Sequence, residues 1–519
     1  MASNFDLMLI KGGRVLLPDG DLHHPPVMDI LVRGNLIEAI SPEIDVGPLL
    51  DQGPDRPPLI SRTLNATGKL VVPGFFNAHY HSHDVLLKGV FETEPLEIWL
   101  LQALPPGFPK RSREEIKVRT LLGAAECIRS GMTTIQDLVT IFPFDEDHLD
   151  AVMEAYEEIG IRAVVALQVA DLKGIEGVPF WSQTVPEGMR KHLTGAVEPF
   201  GTDLPIFQLV EQQYLRLKTR HPRIHWAVGP TSPERCSAEL LTGLDDVGRR
   251  HNLPTYTHIY ESKSMCLHAR KNYPNHSGSL IRFMKDLGIL GPHLSLAHSV
   301  WMLPSEIELI AETGTHVVLN PVGNLKTRSG VAPIREYLEA GVNVALGCDN
   351  CSCSDSQNMF QSMKFFSLLA SVSHPQPGRP DASDSLHAAT LAGARAAGLE
   401  KELGTIQPGK RADLILLDMT DPSFVPLNSA LRQLVYTEGG RGVETVIIDG
   451  QVVMENRRLT TIDEIGLNEA VAGVMTVLAP DIERVKARNR EIYEYLVEAH
   501  MMTWNEDVGM NRYIASYPD

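Results

Sequence analysis

The stretch Val72-Pro73-Gly74-Phe75-Phe76-Asn77-Ala78-His79-Tyr80-His81 limits what this chain can become more than any other. The apolar run from Leu70 to Phe76 reads as a buried strand, and two histidines one residue apart stand at its end. Side chains at i and i+2 of a strand share a face, so His79 and His81 point the same way. Two imidazoles reach one metal ion in this manner; the plainer reading is two polar residues in a loop. The metal reading requires further ligands at the ends of other strands.

The chain between about 70 and 400 alternates strand-like and helix-like stretches. Candidate strands are 70–76, 133–138, 163–168, 224–229, 254–259, 293–298, 315–320 and 342–348. Several are continuous Val/Ile/Leu/Ala runs, as expected for parallel strands buried on both faces. Helices are expected at 112–130, 232–250 and 356–371, the first with Ser112 as N-cap, Glu115 in the capping-box position and Gly131 as its stop. Eight such repeats fit an α/β fold of the (β/α)8 TIM type better than an open sheet. The stretch 171–220 is longer than a plain connection needs and predicts a lid or specificity loop. Short strands broken by glycine turns occur at both chain ends and are expected to pair into one small composite β-sandwich. The expected division is 1–70 and 405–465 for the sandwich, 71–404 for the barrel, and 466–519 for a helical segment and tail.

Active sites of such barrels lie at the C-terminal ends of the strands. Strand one ends in His79 and His81, strand five in His258 with Glu261 three residues later, strand six in His298, and strand eight in Asp349. Scattered polar residues would not converge so, and this donor set suits a zinc-type ion.

The order and spacing resemble the amidohydrolase superfamily, within it the group of cytosine/guanine deaminases and triazine hydrolases. The matching stretches are Asn65-Ala66-Thr67-Gly68-Lys69, Pro73 to His81, His258-Ile259-Tyr260-Glu261, Ala297-His298, Asn320-Pro321, Gly341 to Asp349 and Pro408 to Leu414. The resemblance covers nearly the whole chain. It implies one divalent metal ion per subunit, zinc ahead of iron, held by His79, His81, His258 and Asp349. It implies that Glu261 is the proton shuttle and that His298 contacts the attacking water or the substrate. Related barrels with two metals carry a bridging lysine on strand four. Ile224 to Pro230 has none, which favours one ion. The chain departs from the group at Lys88-Gly89, at Asn320-Pro321-Val322-Gly323-Asn324 and at Asn350-Cys351-Ser352-Cys353-Ser354, where substrate would sit.

The residue chemistry agrees with that division of labour. Three neutral imidazoles and one carboxylate leave a divalent ion positive, which brings the pKa of a bound water toward about 7. Asp349 can accept that proton, Glu261 can pass one to a leaving nitrogen, and His298 can stabilise developing charge. Rival roles are open: Glu261 could only orient a ligand histidine, and His298 could be a further ligand. Cys348, Cys351 and Cys353 cluster around Asp349 and admit a packed loop, a separate metal site or a redox role. Trp99, Phe180, Trp181, Asn320 and Asn324 are the expected substrate contacts.

The expected reaction is hydrolytic deamination of an amino-substituted N-heterocycle or cyclic amidine. The alternatives are hydrolysis of an amide, carbamate, urea or ring C–Cl bond at the same centre, and, more remotely, a non-catalytic assembly protein. The net charge of −18 argues against nucleic acid and gives an anionic substrate no long-range help, so a neutral or cationic small molecule is expected. Six cysteines in 519 residues do not make a disulfide framework. The start of the chain does not read as a signal peptide, and no run of about 18 apolar residues suggests a membrane span. A cytoplasmic homodimer or homotetramer is the expectation, with 501–519 either an arm onto a neighbouring subunit or a frayed end.

Overall fold

The structure is a computed structural model and describes residues 7–45, 60–190, 193 and 204–513. A ring of parallel strands organises the molecule. In order these are Phe75–His81, Met132–Val139, Arg162–Val169, Ile224–Pro230, Thr255–Ile259, Leu294–His298, His316–Leu319, and Val344–Leu346 continued by Asp349–Asn350. Asp349 pairs with Tyr80 and Asn350 with His81, so the last strand closes on the first. Helices cover the outside, which is why Met132–Val139 is buried along its whole length.

The run expected as one strand over 70–76 is two. Lys69–Pro73 belongs to a second sheet, and the chain re-enters as Phe75–His81, so both histidines lie within the barrel strand. Gly74 makes the break possible, because a Cβ there would sit 2.1 Å from Thr133 Oγ1. The second sheet has nine strands drawn from both chain ends. Leu7–Val15 runs antiparallel to Val27–Arg33 and parallel to Lys69–Pro73, which in turn is antiparallel to Leu414–Asp418. Its side chains alternate between two cores. Leu70, Val72, Ile415 and Leu417 pack with the barrel, while Val71, Leu414 and Leu416 pack within the sheet's own core.

Sheet and barrel are fastened by a fully buried arginine. Arg162, the first residue of the third barrel strand, lies 3.0 Å from Asp413 Oδ1 and 3.3 Å from Asp449 Oδ1. Arg411 donates to the same Asp449 oxygen at 2.7 Å.

Two helices differ from expectation. The one expected over 232–250 is Ala238–His251, capped by Ser237, whose Oγ accepts from Leu240 N. In Arg113–Arg129, Ser112 caps as expected, but the Glu115 side chain turns to Arg111. The C-terminal helix, Glu464–Trp504, is 41 residues long and capped by Asp463. Against the sequence expectation it contains an 18-residue window of mean hydropathy 1.3, apolar enough for a membrane span by composition. Its buried residues Leu478, Ile482, Val485, Asn489, Ile492, Leu496 and Ala499 recur at three and four, and this stripe lies against the protein. At its far end the helix reaches the mouth of the barrel.

Candidate active site

The strand ends meet as the donor count requires. His81 Nδ1 lies 2.7 Å from the Leu138 carbonyl oxygen and His258 Nδ1 2.5 Å from that of Thr231. A carbonyl only accepts, so both rings carry their proton on Nδ1 and turn an Nε2 lone pair inward. His81 Nε2 is 3.2 Å from His79 Nε2 and 3.3 Å from His258 Nε2. Facing lone pairs repel unless a cation lies between them. Two nitrogens about 2.0–2.1 Å from one zinc ion at a tetrahedral angle stand about 3.4 Å apart, so the imidazole set fits such an ion. Asp349 Oδ1, buried without a hydrogen-bond partner, completes the donors at 3.4 Å from His79 Nε2 and 3.6 Å from His81 Nε2. Burial, reinforced by the neighbouring His79, pushes His81 and His258 well below the usual imidazole range and keeps them neutral. Burial opposes charge on Asp349, but His79 and His298 beside it hold its carboxyl well below the usual carboxylate range.

The backbone bends to aim the remaining groups. The fifth strand ends at Ile259, and Tyr260 takes φ +47°, which returns Glu261 to the face of His258. His298 and Asp349 also have positive φ, 68° and 64°. His298 Nδ1 lies 2.8 Å from Asn324 Oδ1, which leaves its buried Nε2 without a hydrogen-bond partner, 3.4 Å from Glu261 Oε2 and 3.9 Å from Asp349 Oδ2. Burial lowers the His298 pKa to about 4. Glu261 is pushed well above the ordinary carboxyl range by burial and then by the charges of Asp349, Glu97 and Glu234.

His81, His258, Glu261, His298 and Asp349 open into one cavity of about 180 Å³. Trp99 lines it, and its Nε1–H donates to Ser352 Oγ at 3.0 Å. The other expected substrate contacts lie elsewhere. Phe180 and Trp181 do not reach the cavity. Phe180 turns the chain at φ +65°, Lys271 Nζ stands 4.0 Å over its ring, and Trp181 packs with Ile492 and Leu496 of the C-terminal helix. Asn320 and Asn324 sit behind His298 and contact its Nδ1, at 3.4 Å for Asn320. Cys348, Cys351 and Cys353 converge on nothing shared: their sulfurs face Ser362, Gln357 and Asp349 respectively. Burial raises all three thiols.

Three residues of the cavity escape a reading of strand-end ligands. Glu97 accepts from Ser262 Oγ at 2.7 Å and lies 3.4 Å from His500 Nδ1 of the C-terminal helix. Burial alone would raise it, but His500, Ser262 and Ser264 hold its pKa at about 2. A single carboxylate in the apolar helix Leu96–Ala103 was the available signal. Glu234 and Arg235 follow the fourth strand and were hidden inside the helix expected there.

Comparison with known proteins follows this geometry. Residues 70–453 match the model of the amidohydrolase family. A 5-methylthioadenosine/S-adenosylhomocysteine deaminase from Syntrophobacter fumaroxidans is 32% identical over 480 residues, covering 92% of this chain and all of the relative. A 5'-deoxyadenosine deaminase from Methanothermobacter thermautotrophicus is 32% identical over 418 residues, 80% of this chain and 89% of the relative. Among solved structures, a zinc-bound adenosine deaminase from Xanthomonas campestris superposes with TM-score 0.75 at 25% identity, covering 92% of this chain and 98% of that one. A zinc-complexed atrazine chlorohydrolase from Arthrobacter aurescens shares the fold, with TM-score 0.76 at 23% identity over 90% of this chain and all of that one. From the four strand ends and this match, the chain belongs to the amidohydrolase family.

Proposed function

We propose that this amidohydrolase deaminates an adenine nucleoside and works with one divalent ion, zinc ahead of iron, held by His79, His81, His258 and Asp349. The observation that carries the reading is the inward turn of the His81 and His258 Nε2 lone pairs onto His79 Nε2 and Asp349 Oδ1, beside the Glu261–His298 pair at the wall of one cavity. The adenine nucleoside comes from the relatives named above. When bound, the ion would supply a Lewis acid that lowers the pKa of a water at the site. The chain's own groups divide the proton work. Asp349 Oδ2, turned away from the imidazole cluster and toward His298, can take the proton from water. His298, with its proton on Nδ1, offers the Nε2 lone pair to a water O–H and aims its oxygen at the ring carbon. Glu261, held protonated by burial and neighbouring charge, delivers its proton to the departing amino nitrogen, which leaves as ammonia.

The test is ammonia release from a panel of adenosine, 5'-deoxyadenosine, 5'-methylthioadenosine and S-adenosylhomocysteine, with metal content measured alongside. The reading expects turnover and about one equivalent of metal. His258→Ala should lose metal and activity together, since it deletes a donor. Glu261→Gln should keep the metal and lose kcat by roughly 10²–10⁴-fold. Two equivalents with activity needing both, or full turnover in Glu261→Gln, would refute the assignment.

A further inference from the structure

Beyond the metal cluster, the fourth barrel strand delivers two opposite charges into the same cavity. The chain leaves Pro230 as Thr231-Ser232-Pro233-Glu234-Arg235, and both charged residues line the space that Glu261 and His298 line. Glu234 is only 8% exposed. Its Oε1 accepts from Ser232 Oγ at 2.7 Å, and its Oε2 has no hydrogen-bond partner among the described residues. Among the described residues, the buried Nε of Arg235 has no hydrogen-bond partner and no carboxylate forms an ion pair with its guanidinium, Glu234 included. By contrast, the fully buried Arg162 and the half-buried Arg111 are each clasped by carboxylates.

The position of the pair is built. Asp171 and Leu172 donate their backbone N–H groups to the Arg235 carbonyl at 3.3 and 3.0 Å, and Asp171 also accepts from Ser237 N at 2.7 Å. The guanidinium lies over Gly174, where a Cβ would come within 3.1 Å of Nη2. Two shielded charges of opposite sign that do not neutralise each other suit a ligand carrying both signs at short separation. A guanidinium fork takes a carboxylate in a bidentate grip, and a carboxylate oxygen accepts from an ammonium. The other carboxylates of the cavity that carry charge are Glu97 and Asp349. A bare carboxylate arm would meet those charges, and a bare ammonium would leave Arg235 unanswered.

We propose that Arg235 and Glu234 form the receptor for an α-amino-acid group on the substrate's far arm, so that the preferred substrate is an adenine nucleoside whose 5' arm ends in an amino acid. This rests on the adenine-nucleoside reading above and adds to it a choice among arms. Methylthio and deoxy arms carry neither charge and would bury both groups unpaired.

The experiment measures kcat/KM for S-adenosylhomocysteine and for 5'-methylthioadenosine in the zinc-loaded protein, together with calorimetric binding of S-adenosylhomocysteine. The wild type should prefer the amino-acid-bearing nucleoside by about 10²-fold or more. Arg235→Met should collapse that ratio to below about 3, chiefly through KM, and Arg235→Lys, which keeps the charge without the fork, should fall between. Glu234→Gln, a milder change, should lower the ratio by about 10-fold. A wild-type ratio near one, or a ratio that Arg235→Met leaves intact, overturns the receptor. If no nucleoside is deaminated, the deaminase reading fails by itself. In that case S-adenosylhomocysteine binding that Arg235→Met abolishes still supports the receptor, and binding indifferent to Arg235 removes it as well.

Discussion

At the scale of the residue, the site depends on which nitrogen of each histidine carries the proton. Leu138 and Thr231 settle this for His81 and His258 through backbone carbonyls, which no substitution can remove. His298 depends on a side chain, Asn324, and so is the ring whose orientation mutation can release. Asn324→Ala is expected to lower kcat by about 10–100-fold, with metal content unchanged because His298 lies outside the proposed ligand set. Metal loss in that variant would make His298 a ligand. The six residues proposed to do chemistry were legible in the sequence because period-two spacing and strand ends are local signals. The backs of those residues were not. Nothing local shows that Asn320 and Asn324 support His298 from behind, or that the left-handed turn at Phe180 carries Trp181 away from the cavity. Three left-handed residues, Tyr260, His298 and Asp349, do the aiming. Each costs about 1–2 kcal/mol in a non-glycine residue, so the site is held by its surroundings.

At the scale of the element, two serines competed to start the helix after strand four. Ser232 and Ser237 are both good N-caps by type. Ser237 wins because Asp171 holds it, accepting from its N and Oγ, and its own Oγ remains free to cap Leu240. The losing serine instead binds Glu234, and of the four residues between the two serines Glu234 and Arg235 become cavity wall. The tertiary contact decided a boundary that propensity left open. The C-terminal helix makes a second such contact. Trp504 Nε1–H donates to His500 Nε2 at 2.9 Å, so the His500 proton sits on Nδ1, facing Glu97. The last turns of a 41-residue helix thus orient a carboxylate inside the cavity. His500→Ala should raise KM by about 10-fold or more while kcat changes less than threefold, since the lost contact is with a buried carboxylate away from the reacting ring. A fall in kcat at unchanged KM would show that the helix acts on the proton-transfer groups instead.

At the scale of the whole molecule, barrel and outer sheet act as one body through Arg162 and its two aspartates. Arg162→Met leaves Asp449 paired with Arg411 but strands the buried Asp413 carboxylate against an apolar neighbour, and should lower unfolding free energy by about 3–5 kcal/mol in urea titration. Burial opposes ionisation of Asp449, but Arg162 and Arg411 hold its pKa below the ordinary value. A group with a lowered folded-state pKa stabilises above its unfolded pKa of about 3.9 and loses that contribution as pH falls through the folded value. The gap between wild type and Arg162→Met should therefore narrow below about pH 4. A gap independent of pH across that range would assign the loss to packing alone.

The pairing of Val72 with Ile415 also sets an order of events during synthesis. At about 5–20 residues per second, the strand holding Val72 waits roughly 15–70 s for its partner to emerge from the ribosome. Through that interval it offers an unpaired apolar edge, the kind of surface that recruits chaperones or other nascent chains. A chain stopped just after the barrel, near residue 404, would carry every proposed metal ligand and still keep that edge open for good. It should collect in aggregates that sediment, while the full chain made in parallel stays in the supernatant.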